Sequence, residues 1–429
     1  MTARSSTGIF DLSPSRRMLL QGSALSLGSA AMVTGAWSET ALAQPVGLAP
    51  ATSAITPFSL TLDRAELANL KRRLTMARFP DRETVSDWSQ GAPLRDVQAL
   101  VAYWRDHYDM LRLEKRLNAL PQYRTQIDGL GFHFIHVRSK HADAMPIILT
   151  HGWPGSIVEF LKVVGPLTDP EAHGGSAKDA FHVVIPSLPG YGLSDKPAER
   201  GWGLPRIARA WGTLMGRLGY TRYVAQGGDW GAGVTTWMAK QHVPGLVGVH
   251  LNLPILFPPP IVGEPDADEK ASIARLVNFA EDMSGYAKLQ GTRPQTIGYA
   301  LADSPTGQAA WIYEKLGEWT DTSHQPETVL SRDEILDNIM LYWMTDSGAS
   351  SARLYQESFA TDFTPQKLDL PVAVSVFPGE LYRPLRKWGE RLYANIIYWN
   401  ETAHGGHFAA FEQPEIFVSE LRNSLRGLR

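Results

Sequence analysis

The 429-residue chain contains no cysteine. That absence removes disulfides, thiolate nucleophiles and every metal site built on cysteine. An excess of either charge is missing too: 41 Lys and Arg stand against 44 Asp and Glu, for a net charge of −3. So even a balance gives no electrostatic handle for nucleic acid or an anionic membrane surface. Beyond residue 43 no apolar run is long enough to span a bilayer, and no internal repeat is visible. What is present, 44% hydrophobic and 20% charged residues, is the composition of an ordinary globular protein with room for a large core.

The N-terminus reads as an address. Ser15-Arg16-Arg17-Met18-Leu19-Leu20-Gln21 has the form of a twin-arginine export signal. A mildly apolar stretch from Met18 to Ala36 follows, and Ala41-Leu42-Ala43 supplies a small-x-small cleavage site before Gln44. Residues 1–43 are therefore expected to be a signal peptide, with the mature product periplasmic or secreted and not stably inserted in a membrane. Residues 44–56, rich in Pro, Ala and Thr, read as a linker.

From 57 to 130 the pattern is helical. Asp63-Arg-Ala-Glu66 resembles a capping box ahead of Leu67, Leu70 and Leu74. Pro93 suits a first helical position before Leu94, Val97, Val101 and Trp104, and a further helix is expected over about 111–120. From 131 to 255 short apolar strands alternate with helices: Phe132–Val137, Ile147–Leu149, His182–Pro186, a helix Gly203–Leu218, a strand from Tyr223, and Val247–Leu253. This alternation predicts an α/β fold with a mostly parallel sheet. Residues 256–370 turn helical and aromatic, as an inserted lid would, with helices expected at Ala271–Tyr286, Gly307–Leu316, Arg332–Trp343 and Ser350–Phe359. The alternation resumes over 371–429 with strands Val372–Phe377 and Ile396–Trp399, a helix near Pro384–Tyr393 and a last helix from Pro414.

One stretch organises the rest. Tyr223-Val-Ala-Gln-Gly-Gly-Asp-Trp-Gly-Ala-Gly233 ends a strand, turns sharply and opens a helix, with Gly227 and Gly231 two places either side of Asp229. This is the pattern of a nucleophile elbow, which needs small neighbours so that strand and helix can approach. A carboxylate at that point attacks esters poorly but can displace a leaving group at an sp3 carbon. The resulting alkyl ester must then be hydrolysed. Asp229 thus points to epoxides or carbon–halogen bonds. The plainer reading is a Gly-rich turn whose Asp caps the next helix.

Hydrolysis of such an ester calls for a base. In chain order, nucleophile, acid, histidine, the base is His407 in His404-Gly-Gly-His-Phe-Ala-Ala-Phe411, with His404 as its rival. The orienting acid is Glu380, after Pro378-Gly379, with Glu401 as runner-up. Two backbone amides should form an oxyanion hole: Trp230, next to the nucleophile, and Trp153 in His151-Gly-Trp-Pro-Gly155.

These motifs, with Thr296-Ile-Gly-Tyr-Ala-Leu-Ala-Asp-Ser-Pro305, Pro378-Gly-Glu380 and Gly405-Gly-His-Phe-Ala-Ala-Phe-Glu412, follow one another in the order found in the microsomal-type epoxide hydrolases, which the chain resembles over nearly its whole mature length. Residues of about 55–165 resemble the N-terminal extension typical of that branch. The resemblance implies the α/β-hydrolase fold with a helical lid, no cofactor and no metal. It also implies two lid tyrosines that hydrogen-bond the epoxide oxygen. By motif these are Tyr299 and Tyr355, with Tyr342 or Tyr313 as substitutes for the second. The family's best-known members are held at intracellular membranes by an N-terminal helix, so their location does not carry over to a chain with an export signal.

The expected function is hydrolysis of an epoxide to a vicinal diol. The partners are a small apolar epoxide and water. Lid aromatics such as Trp311, Trp319 and Trp343 suggest an apolar pocket. Two alternatives stand beside it: a haloalkane dehalogenase using the same Asp and His, and an idle relative that only binds a small apolar ligand.

Overall fold

The computed structural model describes residues 54–260 and 263–429. The expected signal peptide, 1–43, and most of the expected linker, 44–56, lie outside the described residues. No helix among the described residues is long and apolar enough to cross a membrane.

A nine-stranded sheet carries the fold: β1 Thr56–Phe58, β2 Gln122–Ile127, β3 Leu130–Val137, β4 Met145–Thr150, β5 Phe181–Pro186, β6 Tyr223–Gly227, β7 Leu246–Leu251, β8 Leu368–Val376 and β9 Tyr393–Glu401. Its order is β1-β2-β3-β5-β4-β6-β7-β8-β9. The first three pairings are antiparallel and every pairing from β5 to β9 is parallel. β5 and β6 are buried at every position, which is why they read as mainly apolar runs, interrupted only by His182 and Gln226, rather than alternating ones. β4 lies between β5 and β6, so the chain reverses its direction of travel across the sheet there, and the crevice at the carboxyl ends of these strands is where such sheets place a site.

Neither β1 nor β2 is among the strands expected from the sequence. β2, Gln-Tyr-Arg-Thr-Gln-Ile, is polar, and pairing with β3 overrides its composition. Its one local signal is Asp128-Gly129, both at positive φ (51° and 81°), the dipeptide favoured in a two-residue hairpin. The N-terminal extension is thus helical over Arg64–Thr75, Leu94–Asp106 and Arg112–Asn118, then joins the sheet. Asp63 caps the first helix through the Ala65 amide, and Pro93 is the N-cap of the second rather than its first residue.

The lid helices fall near their expected places, at Pro305–Trp319, Arg332–Met344 and Gly348–Ser358. The expected helix Ala271–Tyr286 is instead two, Ala267–Asn278 and Gly285–Thr292, joined through a π turn at Phe279–Met283. The helix expected near Pro384–Tyr393 shrinks to Arg386–Gly389.

The extension grips the lid. Asp337, fully buried on Arg332–Met344, accepts from the Tyr108 hydroxyl at 2.7 Å, Arg116 at 2.6 Å and Arg112 at 3.1 Å. The same lid helix holds the loop after β4: Asn338 donates to the Pro154 carbonyl and accepts from Ser156, and Tyr342 donates to the Gly155 carbonyl at 2.8 Å.

Candidate active site

Asp229 follows β6 at φ 50° and ψ −128°, a region that non-glycine residues rarely occupy. The glycines beside it explain how the turn closes. A Cβ on Gly227 would run into the Gly231 carbonyl, and one on Gly231 into the Thr150 carbonyl at the end of β4. β4 and β6 are neighbours with Thr150 opposite Gly227, so the loop after β4 lies over the elbow. Trp153 in that loop donates its amide to Asp229 Oδ1 at 2.8 Å. The carboxylate makes no side-chain cap to the helix Trp230–Lys240, so the reading of Asp229 as a mere helix cap fails. Burial raises its pKa; His407 and the amides of Trp153 and Trp230 oppose the rise. About 13% of the side chain remains exposed.

β8 and β9 deliver the other two groups. Glu380 follows β8 and His407 the loop after β9, and a parallel bridge between Gly379 and Gly406 locks these loops together. His407 Nδ1 lies 2.6 Å from Glu380 Oε1, and His407 Nε2 3.6 Å from Asp229 Oδ2. Both Glu380 and His407 are buried. Burial alone would lower the imidazole pKa; Glu380 first, then Asp229 and Glu159, more than offset this and raise it to about 9.

Aromatic rings from the lid close over the elbow. Tyr286 stacks on Trp153 with centroids 4.9 Å apart, and Tyr355 meets Trp230 edge-on at 4.6 Å. The Tyr286 and Tyr355 rings are 5.8 Å apart and their hydroxyls interact, yet no hydrogen bond of full geometry satisfies the buried Tyr355 hydroxyl among the described residues. Burial, and the Asp229 charge beside them, hold both phenols well above their ordinary pKa, so both stay protonated donors.

Residues 55–160 match the family described as epoxide hydrolase N terminus, and residues 145–292 match the alpha/beta hydrolase fold. A Stigmatella aurantiaca protein provisionally named an epoxide hydrolase is 59% identical over 376 residues, 87% of this chain and 86% of its own length. Epoxide hydrolase 1 of Oryctolagus cuniculus is 35% identical over 410 residues, 88% of this chain and 90% of its own. The chain belongs to the microsomal-type epoxide hydrolases. The structure of the Aspergillus niger epoxide hydrolase agrees, with a TM-score of 0.79 at 32% identity over 89% of this chain and 98% of that one.

Within this epoxide hydrolase the structure brings Asp229, His407, Glu380, Tyr355, Trp153 and Trp230 together. The rivals are elsewhere: His404 is exposed and Glu401 pairs with Arg383. Tyr342 is committed to the Gly155 carbonyl and Tyr313 to Glu327.

Tyr299 is a correction. On the helix Pro294–Asp303 it is 70% exposed, because that helix turns Gly298 and Leu301 inward and leaves Tyr299 facing out. Tyr286 holds the place beside Tyr355 instead. The break at Ser284-Gly285, which starts a new helix with Tyr286, Ala287 and Gln290 on its buried face, is the signal that would have found it. Of the lid tryptophans, Trp319 packs against His407 at 4.9 Å and Trp311 against Trp153 at 6.3 Å, while Trp343 is partly buried against the core. Glu159, a buried acid two residues beyond Ile157, also escaped the sequence pattern.

Proposed function

We propose that this epoxide hydrolase opens a small apolar epoxide through an ester of Asp229 and releases a vicinal diol. The observation that most supports the reading is an Asp at the elbow with Oδ1 on the Trp153 amide and Oδ2 facing His407, below two protonated lid tyrosines. In the first step Oδ2 forms a bond to an epoxide carbon as the carbon–oxygen bond breaks. The alkoxide takes a proton from the Tyr286–Tyr355 pair. Oδ1 becomes the ester carbonyl oxygen.

Esterification removes the Asp229 charge. The imidazolium then loses one of the anions that hold its proton; that proton makes good the one the tyrosine pair gave up, and His407 becomes available as a base. Water attacks the ester carbon while His407 Nε2 takes its proton, and Glu380 steadies the imidazolium that results. The amides of Trp153 and Trp230 hold the tetrahedral oxyanion. On collapse the departing diol oxygen takes that proton from His407, and the water's second proton passes from the Asp229 carboxyl to His407, which restores the carboxylate and the imidazolium.

The test is His407→Gln with styrene oxide, followed by intact mass. The ester should form and persist, giving protein heavier by one substrate molecule. Unmodified protein in the presence of an epoxide that the native enzyme turns over would contradict the route.

A further inference from the structure

That mechanism leaves a buried acid unused. Glu159 belongs to the short 3-10 turn Ile157–Phe160, just after the Trp153 loop. Its side chain folds back over Gly155: a Cβ on Gly155 would collide with Glu159 Oε1. The residue is only 9% exposed, and Oε1 is buried with no hydrogen-bond partner among the described residues.

Glu159 borders a cavity of about 20 Å3, room for a single ordered water. Its lining includes Glu159, Asp229, His407, Gln226, Asn252 and Trp153. Tyr286 and Tyr355 do not line it, so it reaches Asp229 from a side other than the one the tyrosines cover. Gln226 Oε1 is a second buried acceptor without a partner among the described residues, its amide nitrogen already donating to Asn252 at 2.7 Å. A water-sized space with two unfilled acceptors, next to the general base and the reacting carboxyl, is a built site for water.

We propose that Glu159 holds the hydrolytic water of the second half-reaction. The water donates one O–H to Glu159 Oε1 and the other to His407 Nε2, which leaves a lone pair directed at Asp229 Cγ. The water oxygen bonds to Cγ and its proton passes to His407. When the bond from Cγ to the diol oxygen breaks, that oxygen takes the proton from His407, and the water's second proton then passes from the Asp229 carboxyl to His407. Glu159 gains and loses nothing. Burial chiefly, with Asp229 adding and His407 opposing, raises the Glu159 carboxyl to about 8, so near neutral pH it does not add a second anion beside the nucleophile.

The inference rests on the Asp229 ester, so both half-reactions are measured separately, by rapid quench with styrene oxide and intact mass, in the full chain. Glu159→Leu keeps the bulk and removes the acceptor; Glu159→Gln keeps an acceptor. The leucine variant should alkylate within about two-fold of the native rate and hydrolyse its ester ~30-fold more slowly, so that ester accumulates and KM falls together with kcat. Glutamine should restore hydrolysis to within about five-fold of native. A residue that only supports the loop would slow both steps alike, and that result, or unchanged hydrolysis in the leucine variant, overturns the proposal. Should leucine not fold, Glu159→Met, which also removes the acceptor, is read in its place: slower hydrolysis with native alkylation supports the role, and an equal change in both steps or none refutes it. No ester in His407→Gln would refute the underlying mechanism instead, whatever Glu159 does.

Discussion

At the scale of single residues, the lid divides its tyrosines by where their hydroxyls point. Tyr286 and Tyr355 meet over Trp153 and Trp230, while Tyr299 faces solvent. A hydrogen bond to a developing alkoxide is worth about 1.5–3 kcal/mol, so Tyr286→Phe and Tyr355→Phe should each slow ester formation by roughly 10- to 100-fold. Tyr299→Phe should change it by less than about two-fold, because no transition-state contact is lost. A single-turnover comparison of the three variants checks this. A large loss in Tyr299→Phe with little in Tyr286→Phe would reverse the lid assignment.

At the scale of elements, the extension, the lid helix Arg332–Met344 and the loop after β4 form one mechanical series. Asp337 fixes the helix to Tyr108, Arg112 and Arg116, and Asn338 and Tyr342 fix that helix to the carbonyls of Pro154 and Gly155. The loop in turn supplies the Trp153 amide to Asp229. Removing one partner from a buried ionic network typically costs about 3 kcal/mol. Asp337→Ala should therefore speed amide hydrogen exchange across Arg332–Met344 and lower kcat, although Asp337 touches none of the reacting groups. Native exchange in that helix would mean the grip does not matter.

At the scale of the whole molecule, the site's charges tie stability to pH. His407 binds its proton more tightly folded than unfolded, so its contribution is complete below about pH 6.5 and lost as pH rises through about 9. Glu159, raised to about 8, acts with the same sign. The melting temperature should fall between about pH 7 and pH 10. By NMR, His407 should titrate near 9 in the native protein and lower in Asp229→Asn; titration near 6.5 in both would remove the argument for its two charge states.

Much of this was readable in the sequence. The elbow, the acid and the histidine sit in short motifs at the carboxyl ends of apolar strands, where local pattern and tertiary position coincide. What escaped depends on contacts distant in the chain. β2 is a strand because β3 pairs with it, Tyr286 rather than Tyr299 reaches the site because a π turn resets the helix, and Glu159 is buried because Gly155 leaves space for it.

The covalent role of Asp229 is tested most directly by a single turnover of the protein with styrene oxide in oxygen-18 water. The account predicts label in the Asp229 carboxylate and an unlabelled first-turnover diol, since the diol's new oxygen comes from Asp229. Label in that first diol, with none in the protein, would mean that water attacks the epoxide itself and would contradict the account.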